Sequence, residues 1–204
     1  MATYSELQAS IADYFSRDNL TSTIQSAIKR AIKHYEREFF YFSEADLSFF
    51  TVSGTQTYTL SATDGYSQVL QIMVNQNGSR YEAERMNYDE FQQLNVSNAN
   101  GLPSVYAESM GILSFYPIPN ATLTVSVHYS SKIATLAADS DTNVFTLNAE
   151  DLIEARACWW IASIKTKEMT RAQVFKGDEL DALKQLRLET VNKISSGRIM
   201  PTSF

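Results

Sequence analysis

The stretch "SMGILSFYPIPNATLTVSVHY", Ser109 to Tyr129, decides the fold class. Apolar and polar residues alternate across it twice, the period of a half-buried strand, and a Pro-x-Pro step (Pro117, Pro119) divides the two runs. Two strands joined by a stiff turn are expected, with Met110–Gly111 opening the first. No acid, base or nucleophile pair stands nearby. The stretch therefore reads as scaffold, and the rest of the chain has to say for what.

Upstream, "LSFFTV", Ser53–Gly54 and "TQTYTL" read as a hairpin. "QVLQIMV" runs to Asn77–Gly78, the strongest short hairpin signal in the chain, and "YEAERM" returns from it. "NYDEFQQLN" fits a short helix with Asn87 as cap. "SVYAES", "GILSFYP" and "ATLTVSVHY" complete about seven strands.

Helices flank this block. Thr3 and Glu6 have capping-box spacing, and Tyr4, Leu7, Ile11 and Phe15 follow at helical period. After the polar break "SRDNLTS", Ile24, Ile28, Ile32, Tyr35 and Phe39 form one apolar stripe, with Lys29, Arg30, Lys33 and Arg37 on the other faces. Beyond "AADSDTN", Asn148 is the expected cap, with Asp151 three residues on and Leu147 and Leu152 placed as a staple. Ile153, Ala157, Trp160, Ile161 and Ile164 make the buried stripe. Thr170 and Gln173 open a last helix in which Phe175, Leu183, Leu186, Val191 and Ile194 face inward and Gly177 is a weak point.

The expected fold class is α+β: two N-terminal and two C-terminal helices form a helical bundle, with an inserted antiparallel β lobe. The boundaries are residues 1–45, 46–139 and 140–195, followed by an extended tail over 196–204. The expected bundle core is Ile24, Ile28, Ile32, Tyr35, Ile153, Ala157, Trp160 and Ile164.

Composition narrows the function. A chain of 204 residues with 44% hydrophobic and 12% aromatic residues can bury a full core. No apolar run reaches the length of a membrane span, and "MATYSELQAS" has neither basic patch nor apolar signal region, so no signal peptide, anchor or membrane partner is expected. The lone Cys158 excludes an internal disulfide and suits a reducing cytosol. A formal charge of −6 argues against a general nucleic-acid binder, which needs clustered Lys and Arg.

Reaction chemistry is hard to find. His34 and His128 could serve a nucleophile only if folding unites them with one. Glu36/Glu38 and Glu150/Glu154 could act as a carboxylate pair on a sugar, although dipole stabilisation already accounts for Glu150 and Glu154 in a first helical turn. No spacing suits a metal, and "SGTQTYTLSATDG" lacks the glycines and lysine of a phosphate loop. Trp159–Trp160 suggests a sugar platform, but adjacent helical residues point about 100° apart, so core packing fits better. The basic face of Lys29, Arg30, Lys33 and Arg37 is the one place where phosphate contact fits. Catalytic, metal and cofactor residues are all expected to be absent.

The assembled layout resembles the head-to-tail adaptor proteins of tailed bacteriophages, also called head-completion proteins. "TYSELQASIADYFSRDNLTSTIQSAIKRAIKHYERE" resembles that family's opening helix pair, "GLPSVYAESMGILSFYPIP" with "TLTVSVHY" its strand block, and "DTNVFTLNAEDLIEARACWWIAS" its Thr-Asn turn into the third helix. The segment "TLSATDGYSQ" departs from the family's Leu-Pro turn. The resemblance implies a virion protein at the portal vertex, made in the bacterial cytoplasm. It would form a ring on the portal protein, of twelve copies if it follows a twelve-fold portal. It would meet tail nozzle or tail-fibre proteins and let double-stranded DNA pass without specific binding. The tail, with Arg198, Ile199, Met200 and Phe204, is the expected portal-docking segment. The rival readings are a tail-associated cell-wall glycosidase and a β-rich carbohydrate-binding or tail-fibre module.

Overall fold

The computed structural model describes residues 2–15, 20–60, 65–94 and 98–195. The chain divides into two compact units, one built from residues 1–43 and 133–204, the other from 44–132.

The first unit is helical. α1 (Tyr4–Phe15) starts at the Thr3 capping box: Thr3 N–H donates to Glu6 Oε2 at 2.8 Å and Glu6 N–H to Thr3 Oγ1 at 3.2 Å. α2 spans Thr21–Tyr35, α4 Val144–Asn148, α5 Glu150–Trp160 and α6 Met169–Ser195. α5 is the hub and packs against α1, α2, α4 and α6. The shared core holds Leu7, Ile11, Ile28, Phe40, Phe145, Ile153 and Ile161, each 0% exposed.

Among its described residues the second unit holds α3 (Tyr88–Leu94) and nine strands: β1 (Glu44–Phe50), β2 (Thr57–Thr59), β3 (Tyr66–Gln76), β4 (Ser79–Arg85), β5 (Asn100–Gly101), β6 (Val105–Ser109), β7 (Ile112–Tyr116), β8 (Ile118–Pro119) and β9 (Thr124–Ser131). Seven form one curled sheet in the order β1-β9-β3-β4-β6-β7-β2, and β5 pairs with β8. Alternation along β9 buries Val125, Val127 and Tyr129 against Val69, Ile72, Val74 and Phe115.

The expected fold class is overturned. The sheet is mixed: β4 pairs with β6 in parallel, as does β5 with β8. A parallel pair needs a long crossover, and the segment holding α3 and β5 between Arg85 and Val105 supplies it. The Pro-x-Pro step is no hairpin turn either. β7 and β9 are not neighbours, and Pro117–Leu123 carries the chain away from the β6–β7 side of the sheet to a place between β1 and β3. Buried Thr51 anchors that crossing, donating from Oγ1 to Ala121 O at 2.9 Å and accepting from Leu123 N at 2.8 Å. The expected hairpin of "LSFFTV" with "TQTYTL" is likewise absent, because β1 and β2 lie on opposite edges, paired to β9 and β7.

Among the described residues two hairpins do form. Asn77 (φ 52°) and Gly78 (φ 85°) join β3 to β4, and Met110 (φ 51°) and Gly111 (φ 84°) join β6 to β7, both with the paired positive φ of a two-residue turn. Met110 is thus a turn residue, not the start of a strand.

The C-terminal helices are not a simple pair, and there is no bundle of two pairs. α4 precedes α5, and α5 widens into a π-helical segment over Ile161–Thr166 that stops at left-handed Lys167 (φ 58°). The wider turn breaks the 3.6-residue phase, so Ile164 points outward at 56% exposure. The cap is Asn143, not Asn148: its Oδ1 accepts from Phe145 N at 3.0 Å and Thr146 N at 3.1 Å, while Thr146 Oγ1 accepts from Asn143 N. Leu147 is exposed and makes no staple. Thr170 and Gln173 lie inside α6. α2 ends at Tyr35, which leaves Phe39 off its stripe. On α6, Val191 and Ile194 face outward; the buried row runs through Phe175, Glu179, Leu183, Leu186 and Thr190.

Candidate functional site

The densest polar arrangement is centred on Glu179 of α6, 1% exposed. Its Oε1 accepts from the Tyr35 hydroxyl of α2 at 2.5 Å and from Arg156 of α5 at 3.1 Å, and its Oε2 accepts from Lys176 at 2.9 Å. Three helices are thereby pinned at one carboxylate. Burial alone would favour the neutral acid, but the Tyr35 and Lys176 hydrogen bonds and the Arg156 charge hold Glu179 below the ordinary carboxylate range. Burial and the same carboxylate push the Tyr35 hydroxyl well above its usual value. A carboxylate saturated by three donors is a poor proton acceptor, and the node works as a lock between helices.

Around the lock runs a basic, aromatic face. The Arg156 guanidinium lies 4.4 Å from the Trp159 ring, and one of its nitrogens is 3.5 Å from His34 Nδ1. Burial and the charge of Arg156 lower the His34 pKa, so its imidazole is neutral at pH 7. Arg30 and Lys165 stand 5.1 and 5.5 Å from the half-buried Trp160 ring. An open groove of about 310 Å³ runs between α2 and α5 past Arg30, Lys33, His34, Arg156 and Trp160. Lys29, Arg30 and Lys33 are exposed, and none is paired with a carboxylate among the described residues. Arg37 lies beyond the end of α2. This face can hold anionic groups by charge.

The other residues singled out by sequence do not assemble into a reaction centre. His34 lies in the first unit and His128 in the second. On β9, His128 Nδ1 is 2.9 Å from Asp46 Oδ1 and its Nε2 is 3.4 Å from Glu44 Oε2, so both ring nitrogens face carboxylates. Glu38 is bonded to Arg187. Burial, with Glu154 and Asp151 beside it, raises the pKa of Glu150 at the start of α5. Burial pushes the Cys158 thiol up to about 12, which leaves it protonated and inert. No group of three or more potential metal ligands occurs among the described residues. Of the expected bundle core, Ile24, Ile28, Tyr35, Ile153 and Ala157 are buried, Ile32 and Trp160 are half-buried, and Ile164 is exposed. Arg198, Ile199, Met200 and Phe204 lie outside the described residues.

Sequence reasoning missed Glu179 and Arg156. The available signal was a polar residue on an apolar row: Glu179 falls four residues from both Phe175 and Leu183.

The structure thus joins a helical unit locked by a buried ion cluster to a β unit built on a curled mixed sheet within one chain. The chain belongs to the SU10 adaptor protein family, whose model matches residues 2–200. No curated protein matches the chain. Membership gives it the role of a structural adaptor in a phage virion. No helix among the described residues is long and apolar enough to cross a membrane.

Proposed function

We propose that the chain joins the portal vertex of the phage head to the tail and extends the DNA channel. Copies sit in a ring on the portal protein, twelve where the portal is twelve-fold, and present the opposite side to tail nozzle or tail-fibre proteins. DNA passes without specific binding, in keeping with the formal charge of −6. The observation that carries this reading is the adaptor-family match across nearly the whole chain. The tail from Gly197 adds the docking contact: Ile199, Met200 and Phe204 each contribute about 1.5–3 kcal/mol on burial in a portal groove. Ordering takes back about 1–2 kcal/mol per residue. One tail is therefore weak, and a ring of them gains by avidity. Arg198 adds a charge-assisted bond to a portal carboxylate.

The test is co-sedimentation with purified portal. The full chain should travel with the portal, and a chain cut before Gly197 should keep its melting temperature but lose the complex. A full chain that never joins the portal would refute the reading.

A further inference from the structure

Charge is segregated along this chain. The β unit, residues 44–132, holds three basic and eight acidic side chains, a formal −5 out of the chain's −6. Much of that acid is free to act outward. Arg85 is held by Glu108 at 3.4 Å, and His128 by Glu44 and Asp46. Glu82 and Glu84 of β4 and Asp89 and Glu90 of α3 are exposed, with no ion pair among the described residues. The helical unit has the complement: Lys29, Arg30 and Lys33 on α2, exposed and equally unpaired among the described residues.

The two patches also match in spacing. Lys29 and Lys33 are one helical turn apart, about 6 Å along α2. Glu82 and Glu84 flank buried Ala83 on one strand, so both point to the same outer face, about 7 Å apart. Two ammonium groups and two carboxylates can therefore meet in register. Arg30, drawn toward the Trp160 ring at 5.1 Å, borders the same row.

We propose that the Lys29/Arg30/Lys33 face of α2 is an interface that receives the Glu82/Glu84 face of β4 from a second copy of this chain. The contact joins unlike patches, so it is heterologous: a joined pair keeps one unused patch of each kind, one on each copy, and can add a further neighbour at either end. It rests on the ring reading above and names the surfaces through which neighbours meet. A mainly electrostatic contact gives weak, salt-dependent association and a fixed register.

Charge reversal tests it on the full chain by sedimentation velocity, at about 50 mM and about 500 mM salt. Wild type should associate at low salt and fall back to single chains at high salt. K29E/K33E and E82K/E84K should each abolish association. Mixed together, these two should recover salt-dependent association with the two variants alternating, because the native pair of patches and the charge-reversed pair are both complementary. The chain carrying all four substitutions should regain wild-type association. Far-ultraviolet circular dichroism establishes that each variant is folded.

The inference is overturned if wild type stays a single chain at low salt, if the single-patch variants associate as wild type does, or if the fourfold variant fails to recover. It is also overturned if K29E/K33E loses binding to a labelled DNA duplex while self-association is unchanged, since the face would then serve phosphates. Portal co-sedimentation separates the two readings. A wild-type chain that joins the portal with no salt-dependent self-association removes this interface and leaves the adaptor role standing.

Discussion

Replacing Glu179 by Gln probes the lock that joins α2, α5 and α6. The amide oxygen still accepts one hydrogen bond, so the Tyr35 hydroxyl keeps a partner. Arg156, with its side chain only 18% exposed, loses its counter-charge. Lys176, 39% exposed, turns to water at little cost. Breaking a buried ion pair by removing one partner costs about 3–5 kcal/mol, and the surviving hydrogen bond places this variant near the lower end. For a chain of this size that corresponds to a fall of roughly 6–12 °C in melting temperature.

The pH dependence carries the sign. Glu179 titrates lower in the folded protein than in the unfolded chain, where its pKa is about 4.3. Its contribution is complete above that value and is lost as pH falls through the depressed folded pKa. The gap between wild type and Glu179→Gln should therefore be widest near neutrality and close in acid. Tyr35 has the opposite linkage. Its folded pKa is raised, so its contribution holds below about pH 10 and is lost as pH rises beyond it. Urea unfolding at several pH values, followed by tryptophan fluorescence from Trp159 and Trp160, reads the gap directly. A Glu179→Gln chain within about 0.5 kcal/mol of wild type at pH 7 would refute the lock, as would a gap that does not close in acid.

Asn143→Ala should cost about 1–2 kcal/mol in urea unfolding through loss of the cap, and Asn148→Ala, whose amide only donates to Val144 O, less than about 0.5 kcal/mol. Ile28→Ala should cost about 2–5 kcal/mol, against less than about 0.5 kcal/mol for the exposed Ile164→Ala; equal melting temperatures would show the buried face of the helical unit to be misassigned. Gly177→Ala should stabilise α6 by about 1 kcal/mol, since an added Cβ meets nothing within 4 Å, and a lowered melting temperature would contradict this.

What was legible in the sequence was local. The Thr3–Glu6 box, the α2 stripe as far as Tyr35 and the Asn77–Gly78 turn each complete their signal within a few residues, and each stands in the structure. The cap of the C-terminal helices shows where locality becomes ambiguous. Asn143-x-x-Thr146 and Asn148-x-x-Asp151 are both capping-box spacings, and the choice falls to Asn143, whose amide also reaches Ala134 O at 3.0 Å. That partner is nine residues away and invisible to a window. The strand order is less legible still. Alternation tells which residues of "LSFFTV" face a core, but nothing in it says that β1 pairs with β9, some eighty residues on, and not with β2 next door. Glu179 and Thr190 were passed over for the opposite reason: they sit on the buried row at the right spacing but are polar. Their donors and acceptors come from Tyr35, Arg156 and the Leu186 carbonyl. A buried polar residue is stable only where the fold brings it partners, so the period could place Glu179 on that row while only the fold could justify it there. The basic face of α2 lies between these cases. No acid stands three or four residues from Lys29 or Arg30, so their lack of a partner within α2 was already written in the sequence. That the described residues of the folded chain supply none either is what makes the face available to a second molecule.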